Sequence, residues 1–215
     1  VKEYRDSILL GTSRLDIQLL ALVCPANPAP ALDLQSATFI DTSLMAGDSI
    51  CFDVLFSDSN TDGNPLDDSV SVQLLGNIFT SPLNPPLHNG PNFDQGMASV
   101  QFCWTTSCLE ASATDYVFIA EATDNGCPNK TTTQQFNVNV FLPQIDSING
   151  GNTVCEIDSA YLYNINHEPG ITYHWSVLGG EIIADSNSYV LVEWDSNSTD
   201  YELACLPTNV FGCAG

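Results

Sequence analysis

Two stretches of the chain repeat one pattern: SVQFCWTTSCLEASATDYVFIAEATDNGC (residues 99–127) and YVLVEWDSNSTDYELACLPTNVFGC (residues 189–213). In each, an alternating apolar run ends in a tryptophan, Trp104 or Trp194. An Asp-Tyr pair, Asp115-Tyr116 or Asp200-Tyr201, opens a second alternating run, and a turn then closes on Gly-Cys. Alternation with period two is the pattern of a half-buried β-strand. A weak internal repeat of this length marks an array of similar small domains. The expected fold is therefore all-β, with tandem β-sandwich domains, an architecture suited to reach and display rather than to chemistry.

Working outward from the first copy, strand signals fall near residues 33–40 (A), 48–56 (B), 69–76 (C), 97–104 (E), 115–122 (F) and 134–142 (G). The segment PLNPPLHNGPNFDQ (82–95) is too rich in Pro, Asn and Gly for a central strand. Around the second copy, strands are expected near 159–166, 171–178, 181–184, 188–194 and 201–207. Residues 1–24 read as two strands around a short turn, the terminal hairpin of a preceding sandwich. The Pro-rich PANPAPAL then favours extended backbone. The organisation expected is a hairpin over 1–24, a complete sandwich over 25–142 and a smaller sandwich over 143–215 that stops before its last strand. No long segment carries helical periodicity. With no initiator Met, the chain is expected to be a piece of a longer protein.

Alternation assigns the faces. In strand B, Ile50, Phe52, Val54 and Phe56 point one way and Cys51 and Asp53 the other. In strand E, Val100, Phe102 and Trp104 face the core while Gln101 and Cys103 face out. Strands B and E are neighbours in an immunoglobulin-type sandwich, so a cross-strand disulfide Cys51–Cys103 is expected. In the second sandwich Cys155 and Cys205 lie near the same pole and Cys213 at the opposite one, which favours Cys155–Cys205. Cys127 could meet Cys24 or Cys108.

Composition excludes whole classes of function. Acids outnumber bases 26 to 4, for a net charge of −22, and such a surface repels phosphate backbones and anionic membranes. Nucleic acid is not an expected partner, and no apolar run reaches the ~20 residues that span a bilayer. Eight cysteines without zinc-type spacing point to disulfides and an extracellular, oxidising location.

The runs Cys51-Phe52, FSDSNTDGNPLDD (56–68), FCWTTSC (102–108) and EATDNGCP (121–128) resemble immunoglobulin-like and cadherin-like repeats of giant surface adhesins of gliding bacteria. Residues 144–215 resemble a PKD-like domain through YLYNI, TYHWSV, GGEI, YVLVEW and TNVFGC. The resemblance implies tandem immunoglobulin-like and PKD-like sandwiches, export by the type IX secretion system, and a role as adhesin or adhesin stalk in attachment and gliding motility. Implied partners are neighbouring repeats, the secretion machinery and surface ligands or glycans. It also implies O-glycosylation at Asp-Ser-aliphatic triplets, here at Ser7, Ser49, Ser69, Ser147 and Ser159.

The acidic loops are the candidate metal site. The loop SDSNTDGNPLDD (57–68) supplies Asp58, Asn60, Asp62 and Asp67, and EATDNGC (121–127) supplies Glu121 and Asp124. Calcium takes six to eight oxygen ligands from flexible loops, and Asp58-x-Asn60-x-Asp62-Gly63 resembles the start of a calcium loop. A position-12 Glu is absent, with Ser69 in its place. The bland alternative is a solvated turn. A hydrolase is disfavoured, because the paired carboxylates sit in surface turns and no nucleophile motif occurs. A carbohydrate-binding module is the stronger rival, given Tyr161, Tyr163, Tyr173, Trp175, Tyr189 and Trp194, although their spacing by two also fits a core. A filament subunit that exchanges a strand between chains is a third reading.

Overall fold

The computed structural model describes residues 2–12, 14, 27–58, 69–154 and 159–215. At the N-terminal side, β1 (Lys2–Arg5) and β2 (Ile8–Thr12) form an antiparallel hairpin. Asp6 and Ser7 link them with φ of 49° and 69°, the left-handed geometry of a two-residue hairpin turn. Both strands are exposed along their whole length. Apart from Arg14, residues 13–26 lie outside the described residues.

The first sandwich contains β3 (Ala31–Leu32), α1 (Leu34–Ala37), β4 (Asp41–Met45), β5 (Ser49–Ser57), β6 (Ser69–Leu75), β7 (Leu87–His88), β8 (Asn92–Gln95), β9 (Met97–Thr105), β10 (Tyr116–Asp124) and β11 (Thr131–Phe141). One sheet has the order β3-β5-β9-β7 and the other β4-β11-β10-β6-β8. All pairs are antiparallel except β4 with β11. The alternating apolar residues meet between the sheets: Phe52, Val54 and Phe56 with Val100, Phe102 and Trp104 from one, and Val70, Val72, Phe118, Phe136 and Val138 from the other. Phe118 stacks between Phe102 and Phe136, at 4.8 Å and 4.9 Å between ring centroids. Burying each such side chain contributes about 1.5–3 kcal/mol.

The expected A strand over 33–40 is corrected. Asp33 caps a helical turn, its Oδ1 accepting from Gln35 N at 2.8 Å. Ser36 is buried and its hydroxyl serves the β5 backbone, donating to Asp53 O and accepting from Leu55 N, each at 2.9 Å. The turn therefore substitutes for ladder bonds while the chain crosses from β5, beside β3, to β11, beside β4. The Pro- and Asn-rich 82–95 segment supplies only β7 and β8, and both are edge strands.

The second sandwich packs a three-stranded sheet, β12 (Ala160–Asn164), β15 (Tyr189–Trp194) and β14 (Gly180–Asp185), against β13 (Ile171–Leu178) and β16 (Glu202–Asn209). Its buried apolar residues are few: Tyr163, Val190, Val192 and Trp194 in one cluster and Ile165, Ile171 and Tyr173 in another. Among the described residues, β16 has β13 as its only strand partner; beyond it lies a single bridge, Thr208 to Ala214.

The repeated Trp and Asp-Tyr are one structural device used twice. The Tyr116 hydroxyl donates to Glu110 O at 2.9 Å and the Tyr201 hydroxyl to Asp195 O at 2.7 Å, each six residues upstream. Trp104 meets Tyr116 edge-on at 4.9 Å, and Trp194 meets Tyr201 edge-on at 5.6 Å. A tyrosine at the start of strand F bonding back across the E–F corner is a hallmark of immunoglobulin-like sandwiches.

Candidate functional site: the joint between the sandwiches

After β16 the chain turns sharply, with Gly212 at φ 82°, and its tip enters the base of the first sandwich. Asn209 organises this turn. Its Oδ1 accepts from Phe211 N at 3.1 Å and Cys213 N at 2.9 Å. Its Nδ2 reaches across to donate to Ala46 O at 2.6 Å. Both ends of the amide are thus satisfied in a buried site, as burial requires. Cys213 is only 1% exposed and packs within the first sandwich's own core. It is disulfide-bonded to Cys108, with Cα atoms 5.1 Å apart.

Cys108 stands on a rigid mount. It opens a single 3₁₀ turn (Cys108–Glu110) after β9, closed by a capping box between Ser107 and the buried Glu110. Glu110 Oε2 accepts from Ser107 N and Oγ at 2.7 Å each, and Oε1 accepts from Asn84 N at 3.1 Å. Around the bridge, a Cβ added to Gly47 (φ 97°) would lie 2.6 Å from the Phe211 ring, so this glycine lets the tip seat. Met45 packs against the Ile165, Ile171 and Tyr173 cluster of the second sandwich. The two cores therefore exchange side chains: Cys213 enters one and Met45 covers the other.

The F–G turn of the first sandwich is built alike. Asp124 is buried at the end of β10. Its Oδ1 accepts from Gly126 N at 3.0 Å and Lys130 N at 2.8 Å. Its Oδ2 accepts from Asn27 Nδ2 at 3.1 Å, on the segment that leads into the sandwich. Cys127, which closes this turn, is disulfide-bonded too.

Of the candidate calcium residues, Asp58, Glu121 and Asp124 are among the described ones. Residues 118, 120, 122 and 124 of β10 face inward, so Glu121 lies on the opposite face from Asp124. Glu121 Oε1 instead accepts from Gln73 Nε2 at 2.6 Å on the outer face. The two acids do not meet, and Asp124 already serves three N–H donors. Asp58 is buried where β5 ends, its N donating to Gly96 O at 2.8 Å. Asn60, Asp62 and Asp67 lie outside the described residues. Among the described residues no group of three metal-ligating side chains converges, and half of the candidate set lies outside them.

Cys51 and Cys103 are directly opposite in the β5–β9 register and joined, with Cα atoms 4.2 Å apart. The expected Cys155–Cys205 bridge is corrected: Cys205 is a free thiol, half-buried beside Trp175, and burial pushes its pKa above the ordinary value. Cys155 lies outside the described residues. Cys108 belongs to Cys213, so it is not the partner of Cys127.

The aromatic residues of the second sandwich serve largely as its core. Trp194 is 7% exposed and donates its indole N–H to the Tyr163 hydroxyl at 3.0 Å. Trp175 is half-buried and donates to Ser186 O at 3.2 Å. A cavity of about 570 Å³ beside them is lined by Asn152, Tyr163, Trp194, Asp195, Tyr201 and Leu203, among others. Of the candidate modification sites, Ser7, Ser49 and Ser147 are exposed, and Ser69 and Ser159 are half-buried.

Fold and joint together define a class: tandem immunoglobulin-like β-sandwiches linked by a covalent clamp. No family model matches the chain, and no curated protein is detectably similar to it. Among solved structures it is similar to the ectodomain of human desmocollin-1 (13% identity over 89% of this chain and 36% of that one, TM-score 0.34) and to the titin immunoglobulin tandem A164–A165 (13%, 89% and 94%, 0.32). It is also similar to a nucleoside hydrolase-related protein of Saccharophagus degradans (18% identity over 54% of this chain, TM-score 0.35). The chain spans about a quarter of that protein and about a third of the desmocollin chain. At these scores the sheet order carries the fold assignment. No helix among the described residues is long and apolar enough to cross a membrane.

Proposed function

We propose that this chain is a non-enzymatic segment of a large, secreted cell-surface repeat protein, an adhesin or the stalk that carries one in attachment and gliding. The single observation that supports this reading most is the Cys108–Cys213 clamp, which ties the two sandwiches together covalently. A catalytic body gains little from such a joint, whereas a stalk under load gains a covalent connection that does not part when non-covalent contacts fail. Partners under this reading are the adjoining repeats, the export machinery and surface glycans. The net charge of −22 keeps neighbouring repeats apart and soluble. The test is attachment under flow by cells whose parent protein lacks residues 27–215. Reduced attachment with the protein still at the surface supports the stalk; unchanged attachment ends it.

A filament subunit is the second reading. It draws on the outer edge of β16, which beyond the Thr208–Ala214 bridge has no described strand partner. Open edges accept strands. Concentration-dependent polymers of the purified chain in light scattering would favour it.

A further inference from the structure

We propose that the two bridges form a covalent load path that shields the second sandwich from tension. The bonds are consecutive and do not overlap: Cys51–Cys103 closes a separation of 52 residues, and Cys108–Cys213 closes 105. Force entering at Gly215 passes within two residues to Cys213, through the disulfide to Cys108, along five residues to Cys103, and through the second bond to Cys51. Everything between each pair of cysteines is bypassed. The five described strands of the second sandwich, together with β10 and β11 of the first, lie inside the larger loop.

Hydrogen-bonded strands under tension unfold by stepwise loss of non-covalent contacts, but a disulfide does not yield on that scale. Between Asn27 and Gly215, on the order of thirty residues remain outside the loops, about 100 Å of extended chain. The two loops hide 157 residues, at least about 500 Å. A further bridge at Cys127 can only shorten the path. Among the described residues the second sandwich has the smaller buried apolar core, and it is the one most completely bypassed. The biological use of this path rests on the stalk reading, whereas the path itself does not.

Single-molecule pulling of the full chain, through handles fused at both ends, tests it. Oxidised protein should lack any unfolding step above about 200 Å, whereas the same molecules in dithiothreitol should gain at least about 500 Å. Without reductant, the C108A/C213A variant should show a new step of about 240 Å, the contour of residues 143–213. The C51A/C103A variant should add no more than about 180 Å. A step above 200 Å in oxidised wild type overturns the proposal, as does a C108A/C213A variant that stretches like wild type. If that variant does not fold, the wild-type traces with and without reductant still decide. Loss of the load path with normal attachment under flow would refute this inference alone; an intact path with unchanged attachment in the deletion strain would refute the stalk.

Discussion

The two F–G turns of this molecule use the same parts for different reach. In the first, the buried Asp124 gathers Gly126 N and Lys130 N and holds Asn27, a residue on the segment leading into its own sandwich. In the second, the buried Asn209 gathers Phe211 N and Cys213 N and holds Ala46, on the other sandwich. The difference is one of polarity at the outward atom. A carboxylate can only accept, so Asp124 takes an amide donor. A carboxamide also donates, so Asn209 can grip a backbone carbonyl of its neighbour. The lesson is that a turn closing strand F onto Gly-Cys is a ready-made coupling, and the residue that opens it selects what it couples to.

The largest expected effect breaks the second turn's covalent half. Removing both Cys108 and Cys213 should lower unfolding free energy by up to about 4.8 kcal/mol through the chain-entropy term for a loop of 105 residues. Denaturant melts should then show two transitions where wild type shows one. A single transition at the wild-type midpoint would mean that the joint is held by its non-covalent contacts alone.

The next effect exchanges the two turn-opening residues. Asn209→Ala leaves two backbone N–H groups and the Ala46 carbonyl unpaired, which should cost about 2–3 kcal/mol. Asn209→Asp should retain the turn but lose the grip, since it keeps the acceptor and sets a charge against a carbonyl. Asp124→Asn, by contrast, should retain its turn with a loss of about 1 kcal/mol. Chemical denaturation of the three variants checks the order; equal losses for Asn209→Asp and Asp124→Asn would erase the distinction.

Smaller effects separate the two corners. Tyr116→Phe should cost about 1 kcal/mol, and Tyr201→Phe less, because Tyr201 is 51% exposed and water replaces its bond. Tyr116 carries a pH signature as well. Burial first, and the Glu110 charge second, push its pKa above the ordinary 10.0. As pH rises through 10 the unfolded chain loses this proton before the folded one does, so the stability present below pH 10 is lost toward the raised folded value. That part of the alkaline slope should disappear in Tyr116→Phe.

The smallest expected effect concerns the first turn's pole. We propose calcium there, on the acidic set Asp58, Asn60, Asp62, Asp67, Glu121 and Asp124. Millimolar calcium should raise the melting temperature by a degree or two at most, on the order of RT ln(1 + [Ca]/Kd) for a weak site. Identical curves with calcium and with chelator end it.

Much of this was legible along the chain because a strand's period is two. That period placed Phe52, Phe102 and Trp104 inward and put Cys51 and Cys103 on one outer face, where neighbouring strands bring them opposite. The same rule, carried through β10, would have parted Glu121 from Asp124; treating both as loop residues hid it. Strand A was lost to α1 because Asp33 and Ser36 bond locally to backbone, and such bonds override apolar alternation. Cys205 looked pairable on position alone, but half-burial next to Trp175 says nothing of what another loop can reach.

By itself, then, the order of residues determined most of the strands, their inward faces and the repeated Trp, Tyr and Gly-Cys, because each is a local or period-two property. Only the tertiary structure decided that Cys213 enters its neighbour's core and bonds Cys108, and that Asn209 grips Ala46. Those contacts join positions 105 and 163 residues apart, and no local pattern encodes a distance that exists only after two sandwiches have docked.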